Sequence, residues 1–176
     1  MAYIATTDRA NHEALRQAWR RTASTSAEAA VNAARFLHRE HPLEAHQLLD
    51  RVTPSRKVAV AQGFFYAMDV LGMANTWGGM RKVDLEANAR RELNASSNPL
   101  VVAAAAIVLP ELIGRTSGPL KPGRPDAIRS YGRELAERAR QLSGDDPALR
   151  GELALYDELL VFREEQSPHR TRPFAH

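Results

Sequence analysis

Five prolines stand at the start of helix-compatible stretches, and this placement constrains the fold more than any other feature of the sequence. They occur in the dipeptides His41-Pro42, Thr53-Pro54, Asn98-Pro99, Arg124-Pro125 and Asp146-Pro147. Proline is tolerated in the first turn of an α-helix, because the N–H that it lacks would have no partner there. Thr, Asn and Asp are also residue types that cap helix N-termini with a side-chain oxygen. The pattern predicts a chain of short helices that begin at or beside a proline.

The apolar content of the chain also favours helices over a sheet. Apolar residues make up 44% of the 176 residues and aromatic residues only 6%, with alanine supplying much of the difference. Alanine is the best helix former and takes little space, whereas strands are rich in β-branched and aromatic residues. A chain of this length can build one core but is short for two. We therefore predict an all-α, single-domain bundle of about eight helices.

Two long apolar segments are the candidates for the centre of the bundle. One follows Pro54, and the other is the run LVVAAAAIVL at 100–109, after which Pro110 is expected to bend or end the helix. Ten apolar residues are too few to span a bilayer, which takes roughly 20. We expect buried helices here and no membrane partner.

The start of the chain is predicted to form two amphipathic helices. The first should run from about residue 8 to residue 21, with an apolar side formed by Ala14, Leu15, Ala18 and Trp19. The motif Thr25-x-x-Glu28 is typical of a capping box and predicts the start of the second. No apolar signal segment opens the chain and cysteine is absent, so we expect a cytoplasmic protein.

The last third of the chain is predicted to form a helical hairpin behind a basic loop. The loop, residues 114–126, is rich in proline and glycine, and two regular apolar stripes follow it on either side of Gly144. The stripe before Gly144 includes Ile128, Tyr131 and Leu142. We place the helical domain at residues 1–166 and a polar, basic tail at residues 167–176.

A polar segment at 38–46, HREHPLEAH, contains three histidines and two glutamates. Imidazole and carboxylate groups bind transition metals when they converge on one point. Pro42 divides this segment between two helices, however, and it lacks the HExxH spacing of a helical zinc site. The segment is therefore interpreted as a solvent-exposed helix junction, with His41 at the cap of the second helix.

No motif in the sequence identifies catalytic chemistry or a cofactor, and we predict neither. The loop segment GPLKPGRP loosely resembles a phosphate-binding loop, but Pro125 stands where Ser or Thr would bind magnesium. Pro119 and Pro122 also remove backbone donors that a phosphate needs. Nucleophilic serine motifs are absent as well, although a site assembled from distant residues stays open.

Two functions remain as hypotheses. The first is a non-enzymatic interaction module, an adaptor or subunit of a larger bacterial or viral assembly, with a protein partner or self-association. The second is a nucleic-acid-binding regulator, since the net charge is +3 and arginines lie near aromatic residues. Aromatic and basic residues beside a glycine turn, in the loop and in the tail are the candidate partner-binding residues: Trp77, Met80, Arg81, Arg115, Lys121, Arg124, Arg170, Arg172 and Phe174.

Overall fold

The computed structural model describes residues 2–74, 82–113 and 121–154 of the chain. The described residues are helices and short connections, with no strand among them, so the predicted all-α single domain is confirmed. The helices are α1 (Ala2–Ala23), α2 (Ala27–His38), α3 (Pro42–Asp50), α4 (Arg56–Val70), α5 (Lys82–Ala95), α6 (Pro99–Ile113), α7 (Arg124–Ser143) and α8, of which residues 147–154 are described.

Four of the five prolines lie in the first turn of a helix, as predicted: Pro42, Pro99, Pro125 and Pro147. Pro54 is the exception, because α4 begins at Arg56 and its N-cap is Ser55, whose hydroxyl accepts a hydrogen bond from the Val58 N–H. Thr53 is therefore not the cap. Ser55 directly precedes the first helical residue, whereas Thr53 is separated from it by Pro54 and Ser55. The serine is therefore better placed to cap the helix.

Side-chain oxygens cap three further helices. Asn98 accepts from the Leu100 N–H at α6, and Asp146 accepts from the first turn of α8. The predicted capping box at Thr25 is wrong by one residue, since Ser26 caps α2 by accepting from the Ala29 N–H. The Thr25 hydroxyl instead donates to the Thr22 carbonyl at the end of α1.

Helix α6 is the centre of the larger of two hydrophobic clusters. All of its residues from Val101 to Ala106 are buried, and it packs between α4 and α7. The sequence predicts that Pro110 bends or ends the helix; α6 continues through Pro110 to Ile113, so Pro110 does not end it. Pro110 is buried within the last turn of α6.

Helix α4 belongs to both clusters and lies between them. One face packs on α6 through Ala59, Gly63 and Ala67, where Gly63 allows very close approach to the α6 backbone. The opposite face packs on α2 and α3 through Val58 and Phe65. The small residues on the α6 side let α4 and α6 lie close together, whereas the larger residues on the opposite side keep α2 and α3 further from α4.

Helix α1 is attached to α2 and α3 by rings and ion pairs. His12 and Trp19 contact the ring of Phe36 on α2, and both Arg16 and Arg20 pair with Glu44 on α3. The predicted apolar side of α1 is wrong in part, because Ala14 and Leu15 are exposed. The helix turns its Arg16 side, rather than its Leu15 side, toward the domain.

Two arginines of α7 hold the ends of earlier helices. Arg124 donates to the Val70 carbonyl at the end of α4 and to Glu86, at 3.0 and 2.7 Å. Arg138 donates to the Leu93 and Ser96 carbonyls at the end of α5, at 2.6 and 2.8 Å. The last carbonyls of a helix have no partner within it, and cations there are favoured by the helix dipole. These contacts fix α7 against α4 and α5.

The predicted stripe of α7 is confirmed except at its end, where Leu142 is exposed while Ile128 and Tyr131 are buried. The turn after α7 and the start of α8 are described, whereas the rest of the predicted hairpin, the boundary at residue 166 and the tail lie outside the described residues. Within the described ranges, no helix is both long and apolar enough to cross a membrane.

Candidate metal centre

Two histidines and one aspartate from three different helices meet in the interior of the domain. His38 is the last residue of α2, His46 lies in the middle of α3, and Asp69 lies in the last turn of α4. They are exposed by only 1%, 6% and 2% of their surface. The interpretation of the 38–46 segment as a solvent-exposed junction is therefore wrong for both histidines.

The carboxylate of Asp69 lies between the two imidazoles. His46 Nε2 lies 2.7 Å from Asp69 Oδ2 and is hydrogen-bonded to it. His38 Nε2 lies 3.0 Å from Asp69 Oδ1, but out of line for a hydrogen bond. Burial opposes ionisation of Asp69, yet the two imidazoles beside it outweigh burial and lower its pKa below the ordinary value. The group at the centre of the cluster is a buried carboxylate.

Aromatic rings fix the orientation of both imidazoles. His38 stacks on Phe65 with ring centres 4.6 Å apart, and His46 stacks on Tyr66 at 4.3 Å. The two imidazoles meet edge to face at 5.7 Å. Because Phe65 and Tyr66 both belong to α4, the helix that supplies Asp69 also positions the histidines around it. The ligand groups are held before any ion binds.

Several polar atoms of the cluster are buried without a hydrogen-bond partner. Nδ1 of His38 and Nδ1 of His46 have no partner, and His38 Nε2 and Asp69 Oδ1 lack an aligned hydrogen bond although they lie 3.0 Å from each other. A buried polar atom without a partner costs about 1–3 kcal/mol, so native proteins rarely leave several of them together. This concentration at one point is the strongest indication that the cluster binds something.

The chemistry of the three residues fits a transition-metal ion. One ligand atom from each residue can be chosen so that all three lie within 4.8 Å of one another. Ligand atoms around a tetrahedral zinc ion lie about 3.4 Å apart, given bond lengths of about 2.0–2.2 Å. Small side-chain rotations would close that difference. Two imidazoles and one carboxylate are a ligand set for Zn²⁺ or Fe²⁺, whereas Mg²⁺ and Ca²⁺ prefer oxygen alone.

A polar cavity of about 330 Å³ lies beside the cluster. Tyr66 lines it together with Glu92 and Asn98, but His38, His46 and Asp69 do not. The Tyr66 ring therefore borders both the cavity and His46. Burial, with the negative charges of Asp50, Glu92 and Asp69, raises the pKa of Tyr66, so its hydroxyl stays protonated. The cavity approaches the cluster without reaching its ligand atoms.

The other polar residues of the 38–46 segment point to α1. Glu40 lies 3.3 Å from His12, and Glu44 pairs with the two arginines of α1. Burial would raise the pKa of Glu44, but Arg20 and Arg16 lower it below the ordinary value. Burial and the nearby Arg16 lower the pKa of His41, the N-cap residue of α3. One sequence cluster thus separates into an interior half and a half that holds α1.

Sequence reasoning missed the centre because it searched for ligands in one continuous segment. Asp69 lies 23 residues beyond His46. The signal that could have found it is a polar residue within an apolar stripe: Asp69 follows Ala61 and Phe65 at intervals of four, and His38 follows Ala30 and Ala34 in the same way. Such positions face the core of a helical bundle.

The predicted partner-binding residues are not brought together within the described part of the chain. Lys121 is exposed, whereas the guanidinium of Arg124 is held by Val70 and Glu86. The others lie outside the described residues, so their role stays a prediction: Trp77, Met80, Arg81, Arg115, Arg170, Arg172 and Phe174. No protein-family model, curated protein or solved structure matches this chain.

Proposed function

We propose that this protein is a non-enzymatic helical interaction module that binds one divalent transition-metal ion, zinc in the first place, through His38, His46 and Asp69. The observation that supports the metal site is the convergence of two buried imidazoles and one buried carboxylate at the point where three helices meet, with one ligand atom of each within 4.8 Å of the others. A metal ion would take one atom from each residue and would balance the buried negative charge of Asp69.

Zinc is the first choice among the metals that suit these ligands. Imidazole nitrogen ranks Zn²⁺ above Fe²⁺ and Mn²⁺ in affinity, and zinc is indifferent to the exact angles of its ligands. Fe²⁺ bound by two histidines and a carboxylate is the second candidate, since the same set occurs in non-haem iron sites. Three protein ligands leave one position of a tetrahedral ion for water or another small ligand.

Zinc titration of the metal-free protein, followed by calorimetry, is expected to give one ion per chain. Changing a residue that only supports the metal ligands costs about 10–100-fold in metal affinity. The His46→Ala variant removes a ligand itself, so its loss of zinc affinity should be larger. His41→Ala is the matched control, because His41 lies in the same segment but outside the cluster, and its affinity should match the wild type. Substitution with Co²⁺ should give the visible absorption of a site with nitrogen ligands. Equal zinc binding by the His46→Ala and His41→Ala variants would contradict the site.

Five of the described arginines bear on the choice between the interaction module and the nucleic-acid-binding regulator. Arg16, Arg20 and Arg90 are paired with glutamates, and Arg124 and Arg138 bind helix ends. Charge that is neutralised within the chain contributes little to binding a phosphate backbone. These five arginines are therefore poor candidates for phosphate contacts, which weighs against the alternative role as a nucleic-acid-binding regulator.

Light scattering of the purified protein, with and without residues 167–176, tests that role. We expect the full chain either to have a mass above that of one chain or to retain a stable partner in a pull-down. Either association should be lost when residues 167–176 are deleted. A monomer with no partner in both forms would contradict the interaction role. Binding to DNA or RNA that weakens steeply with salt would instead support the regulator.

A further inference from the structure

We propose that the metal ion acts as a clamp: it holds helices α1, α2 and α3 on α4, and its withdrawal lets these three helices lift from α4 while α4 to α7 stay folded. The inference rests on the proposed metal site and adds its regulation. Each ligand residue belongs to a different helix, so one ion would join the ends of α2 and α4 to the middle of α3. A link of this kind opposes separation of the helices that it joins.

Apart from the cluster, α2 and α3 are held on α4 by a modest apolar interface. Much of it is alanine, which buries little apolar surface per residue. The cluster to which it belongs has as buried members Ala30, Val31, Ala34, Leu37, Ala45, Leu49, Val58, Ala61 and Phe65, with the partly buried Phe36, Leu48, Val52, Phe64 and Met68 packed against them. Two exposed polar contacts add to it, Lys57 with Glu28 and Gln62 with Asp50. Exposed pairs of this kind contribute little to stability.

The other face of α4 is attached far more firmly. Gly63 lets the α4 backbone approach the backbone of α6 at Val101 and Ala105. The cluster on that side is the larger one and includes Leu109, Ile128 and Leu135 from α6 and α7. Proteins open first along the interface that buries the least apolar surface. Of the two faces of α4, the one that packs on the α2–α3 pair belongs to the smaller cluster.

Helix α1 would move together with α2 and α3. Its ring contacts are with Phe36 on α2, and its ion pairs to the following segments are with Glu40, between α2 and α3, and with Glu44 on α3. None of these contacts involves α4, so separation of α2 and α3 from α4 leaves them in place. The unit that lifts therefore comprises α1, α2 and α3, residues 2–50.

The burial of the cluster requires the same movement for the ion to enter. His38 and Asp69 are exposed by only 1% and 2%, and the neighbouring cavity does not include them in its lining. An ion reaches these ligand atoms only when the groups around them move, and separation of α2 and α3 from α4 uncovers all three ligand residues at once. Loading, release and opening are therefore one event, and metal supply sets how often the apolar face of α4 around Phe65 is exposed.

Hydrogen exchange of the full chain, in zinc and in EDTA, tests the clamp. In EDTA, the amides of residues 30–50 should exchange at least about ten times faster than those of residues 101–109. Their exchange should also depend less on urea, because they open without global unfolding. Zinc at a hundred times its Kd should slow exchange at residues 30–50 about 100-fold, since opening must release the ion. The Asp69→Asn variant in zinc should exchange as it does in EDTA.

The same samples distinguish failure of the clamp from failure of the metal site. Suppose that calorimetry shows zinc binding, but that in EDTA the amides of residues 30–50 and 101–109 exchange at the same rate and with the same dependence on urea. The chain then opens as a single unit, which overturns the clamp and leaves the metal site in place. If zinc does not bind, both are overturned. A His41→Ala sample that keeps the zinc-dependent protection confirms that the effect comes from the ligand residues.

Discussion

Asp69→Ala is expected to lower the free energy of unfolding by about 2–3 kcal/mol in EDTA, because a buried polar group left without its partner costs about 1–3 kcal/mol. The variant removes the carboxylate that lies between His38 and His46, and it leaves two buried imidazoles facing a space that water cannot readily enter. Urea unfolding followed by circular dichroism measures the change. The variant should also lose the stabilisation that zinc gives the wild type.

Asp126→Ala is the matched control for this substitution. Asp126 is an exposed carboxylate in the first turn of α7, paired with Arg129 at 2.7 Å. Exposed ion pairs contribute about 0–1 kcal/mol, so this variant should unfold close to the wild type. If Asp69→Ala lowers the free energy of unfolding by less than about 1 kcal/mol, the buried carboxylate contributes little to stability and the prediction is contradicted.

Gly63→Ala is expected to cost about 2–3 kcal/mol, although alanine forms helices better than glycine by about 1 kcal/mol. A Cβ atom at Gly63 would overlap the carbonyl oxygen of Val101 and would lie 2.8 Å from the Ala104 Cβ and 3.0 Å from the Ala105 nitrogen. Two of these three atoms are backbone and cannot rotate away. Helices α4 and α6 would have to move apart, which loosens the larger cluster.

Gly151→Ala tests the same chemical change without the contact. A Cβ atom at Gly151, which lies in α8, would have no atom within 4 Å. This variant should gain about 0.5–1 kcal/mol from helix propensity alone. Thermal and urea unfolding of the two variants give the comparison. Equal stability of the Gly63→Ala variant and the wild type would mean that α4 and α6 tolerate a wider separation than the one observed.

The helical fold could be predicted from the sequence because its signals are local. Proline in a first turn and Asn98 or Asp146 before it act within a few residues, and the structure confirms them. The errors at Thr25 and Thr53 are also local: a serine stood directly at the start of each helix and took the cap. Caps of neighbouring serine and threonine differ by too little energy for sequence alone to choose between them.

The candidate metal centre could not be predicted in the same way, because it depends on how helices pack. His38 and His46 lie in one polar segment with His41, and only the packing of α2 and α3 on α4 buries the first two while leaving the third close to Arg16 of α1. Asp69 carries no local signal beyond its place in an apolar stripe. A ligand set assembled from three helices becomes visible only when their faces are known.

The arginines that bind the ends of α4 and α5 have a consequence for the order in which the chain folds. Arg124 reaches back 54 residues to Val70, and Arg138 reaches back 45 residues to Leu93. During synthesis, α4 and α5 leave the ribosome well before the residues that complete their last turns. Long-range contacts of this kind slow folding, since a large loop must close before they form. The nascent chain therefore acquires its stable core late, when α7 has been made.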